Sequence, residues 1–585
     1  MRIHPNSLLR LVITGLLLTR LAIAAPVRPA RAPHAMVASV HELASRAGMD
    51  IMRAGGNAID AAVATGFTLA VVHPQAGNLG GGGFMLIRMK DGSTHFVDYR
   101  EKAPAAASAN MYLDAQGNVI PGASVLGYKS IGVPGSVAGM VYAEKKYGRL
   151  SLQQVMAPAI KLAKEGYLLA AEDAEDFRGH DLAQFAASRR IFQREGNYYQ
   201  ASDIFRQPEL ARTLERIAAS PDDFYHGAMA QQLAAAVAKG GGLISADDLA
   251  HYEVKEREAV RGSYRGYEVI SAPPPSSGGI ALLEILNILE GYDLAKAGDR
   301  SAASIHLTVE AFRRAFFDRA EFLGDPDFSK IPVAQLIDKK YGAAWRESID
   351  PQCASASQDL KRPEIFTQLE QYAAGHLEPV AGREPAQTTH YSIVDPEGNA
   401  VAVTTTLNDS FGSRVTAEGL GFLLNDEMDD FTSKAGAPNL YGLIQGPANA
   451  IGPQKRPLSA MTPTIVLKDG KLFLVLGSPG GSRIITTVAN ILMGVVDYGM
   501  NIQEAVNAPR FHQQWMPDTV SVEPWFSPDT IRQLEQMGYK IEVGVKAGSA
   551  WEPRWSDGEC IAIDAATGDR LGASDYRNNG KAVGY

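Results

Sequence analysis

The chain has 585 residues, 45% of them hydrophobic and 21% charged, and a formal net charge of −9. That length can bury large cores, and the composition is that of an ordinary globular protein. A negative balance with no block of like charges excludes non-specific nucleic-acid binding, so no nucleic-acid partner is expected.

Arg2 precedes a largely apolar run over 8–23 that ends in Ala22-Ile23-Ala24-Ala25. This is the pattern of a secretory signal peptide over 1–24, with small residues at the cleavage site. Arg10 and Arg20 interrupt the run, and the alternative is an uncleaved membrane anchor carrying two costly arginines. No later stretch is long and apolar enough to span a bilayer, and a periplasmic or secreted protein is expected. The two cysteines, Cys353 and Cys560, could form a disulfide in that compartment, but sequence does not fix whether they meet. They offer no zinc-site spacing, and no metal is expected.

A Pro/Arg tether over 25–33 leads into a helical pattern over 41–54 that stops at Gly55-Gly56. Asn57 then caps a second helix over 58–72. The run Asn78-Leu79-Gly80-Gly81-Gly82-Gly83-Phe84 lacks the Gly-Lys-Ser/Thr of a phosphate loop, so its glycines read as backbone geometry. Alternation over 84–89 and 94–99 around Asp91-Gly92 predicts a hairpin that ends at Arg100-Glu101-Lys102-Ala103-Pro104. Most of 134–323 reads helical: Ser151 caps 152–165, a short strand over 267–271 runs into an apolar helix over 280–289, and 305–322 is amphipathic. No internal repeat is present. The segment 350–387 is rich in Ala, Gln, Glu, Pro and Gly, poor in strand formers, and expected to be mobile and exposed.

Next comes Ala386-Gln387-Thr388-Thr389-His390-Tyr391-Ser392, which opens a strand over 388–394. The turn Asp395-Pro396-Glu397-Gly398-Asn399 and a second strand over 400–406 complete a hairpin. Beyond it, 431–457 is a long Gly/Pro-containing loop of the kind that forms lids or is disordered. A buried-type strand over 472–476 then runs through Gly477-Ser478-Pro479-Gly480-Gly481-Ser482-Arg483 into a helix over 484–494.

Taken alone, a Thr-Thr pair at a strand start reflects β-propensity. The run AQTTHYSIVDPEGNAVAVTTTLND, however, resembles the processing site of the gamma-glutamyltransferases, members of the N-terminal nucleophile hydrolase superfamily. The resemblance spans nearly the whole mature chain and is densest over 387–510. It implies an α+β fold, the four-layer αββα sandwich with two mainly antiparallel sheets between helical layers. It also implies a precursor that cuts itself between Gln387 and Thr388. The products would be a large subunit, 25–387, and a small catalytic subunit, 388–585, intertwined as a heterodimer. The chemistry fits: a Thr hydroxyl needs an adjacent base, and an N-terminal Thr has its own α-amino group, with a pKa of about 8. Thr388 would attack the gamma-glutamyl amide of glutathione and related compounds, then pass the acyl group to water, an amino acid or a dipeptide, with no cofactor.

The same resemblance assigns further residues. Gly480 and Gly481 would form the oxyanion hole; on their own they read as a tight strand-to-helix turn. Thr406 would orient the nucleophile. Arg100, in its Arg-Glu-x-Ala-Pro context, would hold the substrate α-carboxylate with its guanidinium fork. Asp430 and Glu427 would take the α-ammonium, and Asn408 would contact the same head group. Ser459 begins what is normally a pair of serines; here the second is Ala460, so that either carboxylate binding weakens by about 1 kcal/mol or more or a neighbour or water compensates. Tyr441 would belong to a lid over the site. His73, His390 and His512 have no ligand partner at metal spacing and read as structural.

Two rivals remain. A glutaryl or cephalosporin-type acylase on the same fold is disfavoured by Arg100 and Asp430 and weakly favoured by Ala460. An unprocessed binding protein is disfavoured by Thr388, Thr406 and the glycine pair.

Overall fold

The computed structural model describes residues 27–366, 388–544 and 555–585. The expected signal segment and Gln387 lie outside the described residues.

Two seven-stranded sheets form the centre. One runs in the spatial order Lys581–Gly584, Met36–Ser39, Thr389–Val394, Ala400–Thr406, Gly82–Arg88, Thr94–Asp98, Lys255–Arg257. The other runs Ala30–Ala32, Arg570–Ala573, Cys560–Ile563, Lys471–Leu476, Thr464–Lys468, Tyr267–Ser271, Val260–Tyr264. Every pairing within them is antiparallel.

The period of two along each strand sorts side chains into three cores. Ala400 and Ala402, with Leu86, Ile270, Ile465, Val475 and Ile561, fill the space between the sheets. Their neighbours Val401 and Val403, with Met85 and Ile87, pack outward against helices Glu42–Arg53 and Ala58–Val72. On the far side, Val466, Leu474 and Leu476 pack against helices Gly278–Leu289, Ala302–Phe322 and Arg483–Val496. Helix, sheet, sheet, helix is the αββα sandwich the resemblance implies.

The local signals read from sequence hold. Asn57 and Ser151 both close reciprocal capping boxes, with Asp60 and Gln154. The hairpin pairs Thr389 with Thr405 and Val394 with Ala400. Residues 431–457 contain one 3-10 turn, Pro447–Asn449, yet they fold back onto the molecule, with Tyr441 and Leu443 buried. The part of 350–387 that is described, 350–366, lies mostly exposed at the surface and is anchored at a few points. Ser357 is buried, and Arg362 lies 3.9 Å over the Phe317 ring while it pairs with Asp318 at 2.5 Å and with Glu321. Aromatic and ionic partners on the neighbouring helix anchor the segment at Arg362. Both cysteines are free, Cys560 buried and Cys353 exposed.

Candidate active site

The hairpin register sets the site. One step beyond the Thr389–Thr405 pair, Thr388 faces Thr406 on the side of the sheet that looks into the sandwich. Their hydroxyl oxygens are 3.2 Å apart. Both residues are buried, Thr388 to 6% exposure. The Thr406 hydroxyl also accepts the Asn408 N–H at 2.8 Å, which ties the strand end to a residue in the left-handed region (φ 81).

The second sheet supplies the opposite wall. Strand Lys471–Leu476 ends at Gly477, where a Cβ would stand 2.2 Å from the His390 ring, so only glycine lets the two sheets approach here. The turn that follows places Gly481 at the cavity, while Gly480 lies just behind it, against Ser556. Their carbonyls accept N–H groups of the first helical residues, Arg483 and Ile484. This leaves the turn at the positive end of helix Arg483–Val496.

A charged cluster lies across the cavity. Arg100 leaves strand Thr94–Asp98 by a turn closed on Asp98, whose carboxylate accepts the Arg100 N–H at 3.0 Å. Its guanidinium is fully buried, pairs with Glu427 and Asp430, stands 3.6 Å from Glu101, and donates to the Pro457 carbonyl at 3.2 Å. Burial works against that charge, but Glu427, Asp430 and Glu101 outweigh it and hold the guanidinium pKa above its ordinary value. Glu427 and Asp430 share the short turn Glu427–Asp430. Burial raises the Glu427 carboxyl well above the ordinary range, with Arg100 opposing it and Glu101 and Asp430 adding to it. Glu101 is pushed up to about 7 by burial against the pull of Arg100.

Tyr441 closes the top. Its hydroxyl donates to the Asn408 carbonyl at 2.5 Å, and its ring lies where a Cβ on Gly481 would fall, 2.4 Å away. The cavity is about 20 Å³, lined by Thr388, Thr406, Asn408, Arg100, Glu427 and Asp430, with Ser459, Ala460 and Gly481. The Ser459 hydroxyl accepts the Met461 N–H at 3.1 Å.

The expected site residues thus converge on one cavity, Gly480 standing one residue back. The three histidines read as structural have side-chain partners for their ring nitrogens: Thr404 and Ser392 for His390, Thr486 and Gln514 for His512, and Gln75 for His73. Sequence reading missed Arg319, which lines the cavity from helix Ala302–Phe322. Burial pulls its guanidinium down to about 10, with Asp430 opposing. The available signal was its spacing: Phe312, Phe316 and Arg319 share one buried helical stripe, where a solvated arginine has no place.

Comparison with known proteins agrees with this arrangement. A family model described as gamma-glutamyltranspeptidase matches residues 44–585. The chain is 52% identical to a glutathione hydrolase proenzyme of a Pseudomonas species, strain A14, over 88% of each chain. Among solved structures it resembles cephalosporin acylase from Bacillus halodurans, with a TM-score of 0.81 at 27% identity over 97% of this chain and 98% of that one. It also resembles gamma-glutamyltranspeptidase of Helicobacter pylori, with a TM-score of 0.54 at 46% identity over 56% of this chain and 94% of that one.

Proposed function

The chain belongs to the gamma-glutamyltranspeptidase family, an enzyme family of the N-terminal nucleophile hydrolases, and from that premise we propose how its residues divide the work. The Thr388 hydroxyl attacks the Gln387 carbonyl of the precursor, and hydrolysis of the resulting ester frees Thr388 as a new N-terminus. The large subunit is then 25–387 and the small one 388–585. The proenzyme name of the Pseudomonas relative supports this order of events, and its glutathione hydrolase name makes glutathione the proposed donor. Export through residues 1–24 would place the enzyme where extracellular or periplasmic glutathione is met.

In turnover the Thr388 α-amino group takes the hydroxyl proton as the oxygen attacks the gamma-glutamyl carbonyl. The N–H groups of the Gly480–Gly481 turn receive the oxyanion, helped by the helix start. Collapse expels the amine and leaves a gamma-glutamyl ester on Thr388. Water, an amino acid or a dipeptide then removes the acyl group. Asp430, Glu427 and Asn408 hold the substrate ammonium, Arg100 and Ser459 its carboxylate, and the loop bearing Tyr441 covers the site.

One observation carries the reading: the Thr388 hydroxyl, 3.2 Å from that of Thr406, shares its cavity with a buried Arg100–Glu427–Asp430 cluster. Two carboxylates sharing the single Arg100 beside the nucleophile suit an amino-bearing acyl group, whose ammonium adds a second cation, whereas a glutaryl group brings none. Intact mass and N-terminal sequencing beside a Thr388→Ala control test it. Two chains, the smaller beginning Thr-Thr-His-Tyr, with the control uncut and inactive, are expected. One intact, inactive chain under folding conditions would overturn it.

A further inference from the structure

Arg319 is the charged residue lining the cavity that the roles above leave unused. It is 2% exposed, and its Nε donates to the Ser277 hydroxyl at 2.9 Å. Ser277 in turn donates to the Ser459 carbonyl at 2.6 Å, so the guanidinium is braced against the Ser459–Ala460 segment. Its Nη1 is buried and has no hydrogen-bond partner, and among the described residues no carboxylate forms an ion pair with it. Arg100 presents the opposite case, with Glu427, Asp430 and Glu101 all within ion-pair distance.

A buried guanidinium with an unused N–H is costly unless an anion completes it. A bracing role toward Ser277 accounts for one N–H and leaves Nη1 unexplained. The donor head group carries one anion, its α-carboxylate, and Ala460 removes a hydroxyl that would have met it. We infer that Arg319 is a specificity-determining residue that binds the α-carboxylate of the gamma-glutamyl donor, supplying beside Arg100 the hydrogen bond that Ala460 cannot. The inference rests on the gamma-glutamyl reading of the site.

Three anilides of one leaving group test it: gamma-glutamyl, glutaryl (no ammonium) and 4-aminobutanoyl (no carboxylate). For a donor that turns over too slowly, its free acid as a competitive inhibitor gives the same comparison. In Arg319→Gln, kcat/KM for the two carboxylate-bearing donors is expected to fall by about tenfold to hundredfold, mainly through KM, as for a lost charge-assisted hydrogen bond. The 4-aminobutanoyl compound should change by less than about twofold. Arg319→Lys, which keeps the charge and loses the fork, should show a smaller loss with the same selectivity, and it carries the test where the Gln variant does not fold. Adding Ala460→Ser to Arg319→Gln should recover part of the loss. An equal loss for all three donors marks a structural role and overturns the inference, as does no loss. Wild-type protein inactive on every donor overturns the gamma-glutamyl reading instead, which keeps the two failures apart.

Discussion

The Thr388 and Thr406 hydroxyls face each other across the hairpin at 3.2 Å, and Thr406 is itself fixed by the Asn408 N–H at 2.8 Å. On the proposed mechanism, a rigid hydroxyl beside the nucleophile orients its lone pairs and shares the charge that grows on Thr388 during attack. Thr406→Val keeps the β-branched shape and the packing while removing the bond. Turnover should fall about tenfold to hundredfold, the worth of a hydrogen bond to a developing charge, with KM nearly unchanged. The proposed self-cleavage uses the same oxygen and should slow in parallel. Initial rates and a time course of precursor on denaturing gels read both. A loss confined to KM would mean that Thr406 serves binding instead.

Arg100 is committed to several groups at once: Glu427 and Asp430 through separate Nη atoms, and the Pro457 carbonyl through Nε. A lysine carries the charge without the fork and cannot reach all three. Arg100→Lys should raise KM for gamma-glutamyl donors by about tenfold or more and lower kcat less. It should also lower the melting temperature, because two buried carboxylates lose a partner. An unchanged KM would remove Arg100 from the head-group site.

Local signals were legible in the sequence, and long-range ones were not. Helix Ala58–Val72 matches the span read from Asn57 and the apolar run, and the hairpin matches the span read from its turn, because caps and turns act over a few residues. That Met36–Ser39 pairs with this hairpin, and Lys581–Gly584 in turn with Met36–Ser39, depends on contacts hundreds of residues apart, which no periodicity encodes. Thr388, Thr406, Arg100 and Asp430 came from resemblance to a motif. Arg319 escaped because a helical pattern reports which face is buried and says nothing of a cavity that the face lines.

Glu101 gives the site a pH signature. Both its carboxylate oxygens are buried without hydrogen-bond partners, and Oε2 stands 3.6 Å from Arg100. Burial pushes its pKa from the ordinary 4.5 up to about 7. The folded state therefore holds a proton that the unfolded chain has released between those values. Its contribution to stability is full below the ordinary value and drains away as pH rises through about 7. Melting temperatures of wild type should decline from pH 5 to pH 8, and Glu101→Gln, which carries the amide at every pH, should flatten that decline. An identical slope in the variant would assign the titration to another group, with Glu427 next in line.

The Tyr441 ring packs at Gly481 on the wall of the cavity. The cavity of about 20 Å³ holds roughly one water, far less than a glutamyl head group, so the proposed function has the Tyr441 ring move aside as a donor enters. Tyr441→Ala should speed donor association several-fold in pre-steady-state mixing. It should also shift product from transfer toward hydrolysis, since the acyl-enzyme is no longer shielded from water. Gly481→Ala acts on the same contact from the other side: its Cβ would stand 2.4 Å from the ring, on a residue at φ +55. Turnover of that variant should fall at least about hundredfold, from the clash and from strain in the turn that faces the oxyanion. Combining the two separates those causes. Tyr441→Ala removes the clash and leaves the strain, so the double variant should regain part of the loss but remain below Tyr441→Ala alone. Full recovery would reduce Gly481 to a seat for the ring, and none would make its backbone geometry the whole of its role.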